Sequence, residues 1–305
     1  MFRFKKKQKI IEAGGIKLGG QPGELPTVLT ASIFYAGHKI VEDKKLGIFD
    51  KAKAEALINR MDELSDMTTN PFILDVVGNT SEAYQKYLDF ISKVTDAPMQ
   101  VDAISPKVRM ETITWAHEVG LSGRIINNSI YQQVKEKELE NLKNCNIKAS
   151  IVLCDNPEDE SANAKLEVLP KILDMADSAG IEGALIDTAI PAWGIGVGAG
   201  VRAIYLIKEK FGDRGAVGTG IGNVTDTLGW IKGNFGKEMR KPSAAAQNAI
   251  LPIVGADWIM FGPIEFAEFL FPVIAVIDTY VLTATAEIGT KPAIEGMHPL
   301  FRTMA

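Results

Sequence analysis

Short apolar runs alternate with amphipathic stretches along almost the whole chain. Residues 27–34 (TVLTASIF), 72–77 (FILDVV), 99–104, 124–127, 149–154, 184–188, 216–221 and 258–261 are each short, apolar and rich in β-branched residues, the pattern of buried strands. Between them the period lengthens to that of helices. Residues 50–64 turn Ala54, Ala56, Leu57 and Met61 to one side, and residues 81–94 do the same with Tyr84, Tyr87, Leu88 and Ile91. Further helices are predicted over 106–119, 136–142, 166–179 and 200–211, three of them stopped by Gly120, Gly180 and Gly212. Residues 9–21, KIIEAGGIKLGGQ, form two short stretches joined through Gly14 and Gly15, which predicts a hairpin.

Eight strands alternating with helices call for a parallel sheet, because each parallel crossover needs a helix to bring the chain back. A closed (β/α)8 TIM barrel accounts for all of them as one domain over 1–305, with residues 1–26 as an N-terminal hairpin cap. An open doubly wound sheet is the alternative. In a barrel, functional groups belong at the C-terminal ends of the strands.

Composition narrows the partners. With 305 residues, 46% of them hydrophobic and 23% charged, the chain can bury a large core without disulfides. A net charge of −5 and the lack of a basic stripe exclude a dedicated nucleic-acid binder. Cys145 and Cys154 have neither disulfide-framework nor zinc spacing, so a reducing cytoplasm is expected. Lys5, Lys6 and Lys7 read as a solvated run, and no apolar stretch of the secretory type follows them. Residues 266–285 approach the length of a membrane span, but Glu268, Pro272 and Asp278 interrupt them. An outer barrel helix that forms half of a homodimer contact is expected instead, without membrane insertion.

The candidate chemistry centres on residues 217–226, VGTGIGNVTD. Gly218, Gly220 and Gly222 let the backbone approach a flat ligand closely, and Asn223 stands where the next helix begins. The other strand ends bring Asp75 and Asn79, Asp102 and Ser105, Asn127, Asn128 and Ser129, Asp155 and Asn156, and Asp187 and Thr188. Such a ring of carboxylates and amides suits a neutral heterocycle with an amidine-lactam edge, since a carboxylate accepts two parallel N–H donors. It lacks the activated nucleophile of covalent catalysis, although its oxygens would accept Mg²⁺. Each Asp or Asn has a competing reading as a helix N-cap, and the glycines as a packing turn. Residues 194–199, GIGVGA, satisfy GxGxxG/A but are separated from their strand by Pro191, a weak dinucleotide signal. His117 reads as a helix residue before the Gly120 stop, whereas His38 follows the first barrel strand and is either catalytic or a loop anchor.

The run GGQPGELPTVLTASIFYAGHKIV at residues 19–41, with GIFDKAKAEALI, LIDTAI and FGPIE, resembles the MtrH family, the H component of tetrahydromethanopterin S-methyltransferase. It also resembles that family's bacterial relatives, which act with corrinoid proteins in demethylation of methylated amines such as glycine betaine. The strand ends resemble those of the wider pterin-binding barrels. That resemblance implies pterin contacts at Asp102, Asn128, Asp187, Gly220 and Gly222, with Asn223 as the group at the reacting N5; Asp75 joins them from the ring of strand ends. Asn127 and Asn128 compete for the fourth strand's place. Dihydropteroate synthase shares the barrel, but its seventh-strand lysine and eighth-strand Arg-x-His are replaced here by VGTGIGN and IMFGPIE.

The implied activity is methyl transfer between N5 of a reduced pterin and a corrinoid held on a separate protein. Tetrahydrofolate is the expected co-substrate, with tetrahydromethanopterin and a membrane complex, or a non-catalytic docking role in such a complex, as alternatives. Residues 35–51 and 222–242 are expected to build the rim that admits the corrinoid protein.

Overall fold

The computed structural model describes residues 2–192, 194 and 196–303, apart from the side chains of residues 225–227 and 303. It opens with β1 (Ile10–Ala13) and β2 (Ile16–Gly19), continues with β3 (Val28–Ile33), β4 (Val41–Asp43), β5 (Ile48–Phe49) and α1 (Lys51–Thr68), and then settles into regular alternation. The alternating units are β6 (Phe72–Val77) and α2 (Ser81–Val94), β7 (Met99–Asp102) and α3 (Pro106–Glu118), β8 (Ile125–Ile130) and α4 (Glu136–Asn144), β9 (Ala149–Leu153) and α5 (Ala162–Ser178), and β10 (Gly183–Asp187) and α6 (Gly196–Phe211). β11 (Ala216–Thr219) is followed by α7 (Thr225–Phe235) and α8 (Arg240–Ile253), and β12 (Trp258–Pro263) by α9 (Ala267–Ala286) and the short α10 (Pro299–Thr303).

β3 and β6 to β12 close into a barrel in which every neighbouring pair is parallel. The expected (β/α)8 barrel is therefore the fold, and the open sheet is excluded. The hairpin forms as expected: Gly14 and Gly15 both take positive φ, as a two-residue turn between right-twisted strands requires. It plugs the N-terminal end of the barrel. Ile11, Ala13 and Leu18 pack on Val28, Ile73, Ile126, Ile151, Leu185 and Trp258, which form an apolar floor inside the strands. Lys208 on α6 fixes the plug by donating to the Gly20 carbonyl at 2.9 Å and to Asp257 at 2.6 Å.

Because side chains alternate along a strand, the residue two places beyond each floor residue also faces the interior. This rule turns an apolar floor into a polar upper layer. Val28 leads to Thr30, Ile73 to Asp75, Ile126 to Asn128, Leu185 to Asp187 and Trp258 to Met260. The strand register agrees, pairing Ser32 with Asp75, Asp75 with Gln100, Asp102 with Asn128, and Asp187 with Gly218.

The helices depart from expectation mainly at their ends. On α1 the buried positions are Ala54, Ile58, Met61 and Leu64, while Ala56 is exposed, because the apolar stripe runs one residue later than expected. α2 buries Tyr84, Tyr87, Leu88 and Ile91 as expected. α5 starts at Ala162, where Ser161 caps it by accepting from the Ala164 N–H at 3.2 Å. Residues 35–51 hold the small β4/β5 hairpin, and residues 222–242 are largely helical. α9 is the outer helix of the eighth unit and packs against α1, α8 and α10. It is long and apolar enough to cross a membrane by length and composition, yet half of that stretch is buried inside the protein.

Candidate functional site

The polar layer opens at the C-terminal ends of the strands. Asp75 is buried there, its carboxylate accepting from the Ser32 hydroxyl at 2.7 Å and the Gln100 amide at 2.8 Å. Burial, reinforced by the nearby Asp102 carboxylate, holds Asp75 well above the usual carboxylate range. Asp102, one rung higher, is pushed up to about 6 by burial, against the pull of Arg109. Each carboxylate thus sits where burial, and for Asp75 its like-charged neighbour, disfavours ionisation.

Arg109 fixes the loop that carries Asp102. It donates to the Ala103 carbonyl at 2.8 Å and pairs with Glu138, both partners being buried. The Tyr84 hydroxyl donates to the Asp102 carbonyl from the other side. Backbone and loop are thus held while the Asp102 carboxylate makes no side-chain hydrogen bond among the described residues.

The fourth-strand ambiguity is resolved by register. Asn127 faces the helices, its amide donating to the Ser150 hydroxyl at 2.8 Å, and is buried. Asn128 lies beside Asp102 in the interior and has no side-chain partner among the described residues.

Asp187, at the end of β10, accepts from the Ala189 N–H at 2.8 Å and the Thr219 hydroxyl at 3.1 Å. Burial raises its pKa, opposed by those donors, the Gly220 N–H and Lys165. Lys165 is a buried cation on α5 that the strand-end reading missed; its ammonium donates to the Ala189 carbonyl at 3.0 Å. No local pattern marks it, since an inward lysine on an amphipathic helix looks like any other helical lysine.

Gly220 is where the site converges. A Cβ built there would lie 3.4 Å from the Asn223 amide nitrogen, 3.8 Å from the Asp187 carboxylate and 3.9 Å from the Met260 sulfur. A Cβ would sit there in ordinary van der Waals contact with all three, so the glycine leaves a methyl-sized gap between an amide and a carboxylate. Asn223 itself is exposed and its side chain has no hydrogen bond among the described residues. Gly222 differs from its neighbour. Its missing side chain faces β12, where a Cβ would come within 2.7 Å of the Gly262 nitrogen, so close packing explains that glycine.

Other candidates are assigned to local structure. Ser105 caps α3 and Asn156 accepts from the Glu158 N–H at 3.2 Å, the competing cap and turn readings. Asn79 and Asp155 are exposed to solvent. His38 is buried; its Nδ1 accepts from the Phe34 N–H at 3.1 Å, and Tyr35 stacks on it at 4.4 Å. That bond puts the proton of the neutral ring on Nε2, which lies 3.2 Å from Glu265 without hydrogen-bond alignment. It is a loop anchor in this arrangement. His117 bonds Ser122 on an exposed helix end. Residues 194–199 lie partly outside the described residues, at Ile195; Gly196 opens α6. Both cysteine thiols are buried and pushed up by that burial, and no metal-holding group of three His, Cys, Asp or Glu occurs among the described residues.

Cavities of 560 and 420 Å³ flank the hairpin at the opposite end of the barrel and contain none of these residues. Their location beside the plug makes them features of the barrel floor, whereas the convergent polar groups lie at the C-terminal ends of the strands, where barrels of this kind hold their functional groups.

Among solved structures, dihydropteroate synthase from Xanthomonas albilineans shares the fold with a TM-score of 0.61 at 15% identity, covering 94% of this chain and 99% of that one. The Yersinia pestis enzyme matches with a TM-score of 0.60 at 13% identity, over 89% and 99%. At such identities the likeness is one of fold alone. Sequence relatives are far closer. The chain is 42% identical over 315 residues to the MtrH protein of tetrahydromethanopterin S-methyltransferase from Methanothermobacter marburgensis, covering 100% of both. It is 42% identical over 319 residues to the corresponding protein of Methanococcus maripaludis, covering 98% of this chain and 99% of that one. The family described as tetrahydromethanopterin S-methyltransferase MtrH subunit matches residues 6–293. A family match over nearly the whole chain and full-length relatives of one kind lead to the same place: the chain belongs to the MtrH family of tetrahydromethanopterin S-methyltransferase, pterin-dependent methyltransferases.

Proposed function

We propose that the protein moves a methyl group between N5 of tetrahydromethanopterin and a corrinoid held by a partner protein that docks on the barrel mouth. The observation that carries this reading is the convergence of the Asn223 amide and the Asp187 carboxylate on the backbone at Gly220. The names of the relatives favour tetrahydromethanopterin over the tetrahydrofolate expected from sequence.

A pterin fits the donor set. Its amidine edge presents parallel N–H donors to Asp187, and its lactam edge mixes donor and acceptor, which Asn128 and Asp102 match. Gln100 Oε1 and Thr30 Oγ1, buried in the interior without partners, mark unsatisfied polar capacity under the same opening.

The corrinoid supplies a cobalt that carries the methyl group. This chain's residues orient N5 toward the mouth and manage its charge. N5 becomes positive when it gains a methyl and must then lose its proton; in reverse it must be protonated before the methyl leaves. Asn223 donates or accepts at N5 through one amide without taking the proton itself, a preorganised dipole at the developing charge. Holding N5 in line with the incoming carrier provides the other main contribution.

The test is single-turnover transfer between methylated corrinoid protein and the purified protein, run separately with tetrahydromethanopterin and tetrahydrofolate. Turnover preferring the first is expected. Binding and turnover with neither pterin would end this reading.

A further inference from the structure

Arg109, Lys165 and Lys208 are the lysine and arginine side chains buried among the described residues. Two of them touch a carboxylate, Arg109 pairing with Glu138 and Lys208 with Asp257. Lys165, 1% exposed on α5, makes no ion pair among the described residues; its ammonium makes one hydrogen bond, to the Ala189 carbonyl at 3.0 Å. Burying an ammonium on a single neutral acceptor is costly, and a neutral donor would satisfy that carbonyl without burying a charge. The charge itself needs a reason.

Ala189 links this cation to the ring site. It takes a φ of 51°, in the left-handed region where an L side chain is strained. Two partners hold it there: Lys165 binds its carbonyl, and its N–H donates to Asp187 Oδ1 at 2.8 Å. The Thr219 hydroxyl donates to the same oxygen at 3.1 Å. With Oδ1 anchored in this way, Oδ2 is the oxygen turned toward Gly220, 3.8 Å from where a Cβ would lie, and the Asn223 amide nitrogen is 3.4 Å from that point.

The groups around Asp187 differ by element. The Thr219 hydroxyl at the end of β11 and the Gly220 N–H after it are neutral donors, Cys154 follows β9 as a buried thiol, and α5 brings Lys165. Burial raises the Asp187 pKa, and Lys165 is among the groups that draw it down. Cys154 feels the same pair in the opposite sense: burial and then Asp187 push its thiol up, while Lys165 draws it down. Lysine, aspartate and thiol thus share one enclosed space behind the site.

We infer that Lys165 is a positioning residue of the ring site, holding the Asp187–Ala189 turn and supplying the counter-charge that keeps the Asp187 carboxylate ready to accept the pterin's N–H donors, an inference that rests on the proposed function. A protonated Asp187 would turn an O–H toward those donors instead of a lone pair. Lys165 acts through Asp187.

Lys165→Gln separates the two parts of this role, because glutamine can still donate to the Ala189 carbonyl but carries no charge. On the full-length protein, carbon NMR follows the Asp187 carboxyl against pH without ligand, its signal identified by its loss in Asp187→Asn. Calorimetry follows the affinity for tetrahydromethanopterin over the same pH range. In Lys165→Gln the Asp187 midpoint should rise by about one pH unit or more, the effect of losing a nearby opposite charge. Pterin affinity lost at neutral pH should return as pH is raised and Asp187 ionises. Should the glutamine variant not fold, Lys165→Met, apolar and of similar length, provides the same comparison. An Asp187 midpoint and a pterin affinity unchanged in Lys165→Gln would make Lys165 a loop fastener and overturn the inference. Affinity lost equally at every pH also overturns it, since that is damage to the turn and not a lost charge. Wild-type protein that does not bind tetrahydromethanopterin removes the proposed function and the pterin part of this inference, while a midpoint that still moves in Lys165→Gln upholds the coupling of the two charges.

Discussion

Asn223 is exposed, makes no side-chain hydrogen bond among the described residues and adds nothing to the core, so its effect on chemistry is separable from folding. Asn223→Ala is expected to slow single-turnover transfer by about 10²–10³ while changing pterin affinity far less, as for a donor that acts mainly in the transition state. Wild-type speed with weaker binding would make it a ring contact only. Asp102 carries a pH signature. Burial pushes its carboxyl up to about 6, and the ionised form is the stronger acceptor for the N–H of the pterin's lactam edge. Pterin affinity should therefore fall as pH drops through about 6, and Asp102→Asn should erase that inflection in a titration of affinity against pH.

Among the elements, α9 is tied to the barrel by one buried carboxylate. Asp278 accepts from the Thr27 N–H at 2.9 Å, the Thr27 hydroxyl at 2.7 Å and the Asn70 amide at 2.7 Å, so it joins the segments leading into β3 and β6 to the outer helix. Asp278→Ala orphans those donors and should cost about 2–4 kcal/mol in denaturant unfolding. Burial raises Asp278 to about 6, above its unfolded value, so its contribution is fully present at low pH and is lost as pH rises through about 6. The variant's deficit should accordingly widen between pH 7 and pH 5, and a deficit constant with pH would refute the assignment. This charge was visible in sequence only as an interruption of an apolar helix; its partners lie 251 and 208 residues away. The strands, most helices and the hairpin were legible because their periodicities are local. α8 was not predicted, and it carries Pro242 in its first turn and Pro252 near its end, residues that weaken a helical pattern although a first-turn proline is tolerated. The two- and three-residue strands β4 and β5 are too short to show a period. At the site, alternation could place Asp75 and Asp187, but choosing Asn128 over Asn127 needed the register with β7.

For the whole molecule, the outer face of α8 and α9 leaves Ile250, Val276 and Tyr280 exposed on otherwise packed helices. A second copy covering this stripe by two-fold symmetry is expected, because an isologous contact lets one apolar patch serve both partners. Light scattering should give a dimeric mass that Tyr280→Glu lowers toward the monomer. A monomeric wild type over a dilution series would reject it.

The hairpin plug has a kinetic consequence. With Ile11, Ala13 and Leu18 sealing the floor, the barrel interior is a dead end with one door. Under the proposed function both visitors use that door: the small one lodges inside and the large one covers the opening. The pterin must then arrive before the corrinoid protein and leave after it, a compulsory sequence set by the apolar floor that Val28, Ile73, Ile126 and Leu185 build beneath the site and the hairpin backs. Excess corrinoid protein should consequently trap whatever pterin is inside and slow its exchange, which a chase with unlabelled pterin would measure.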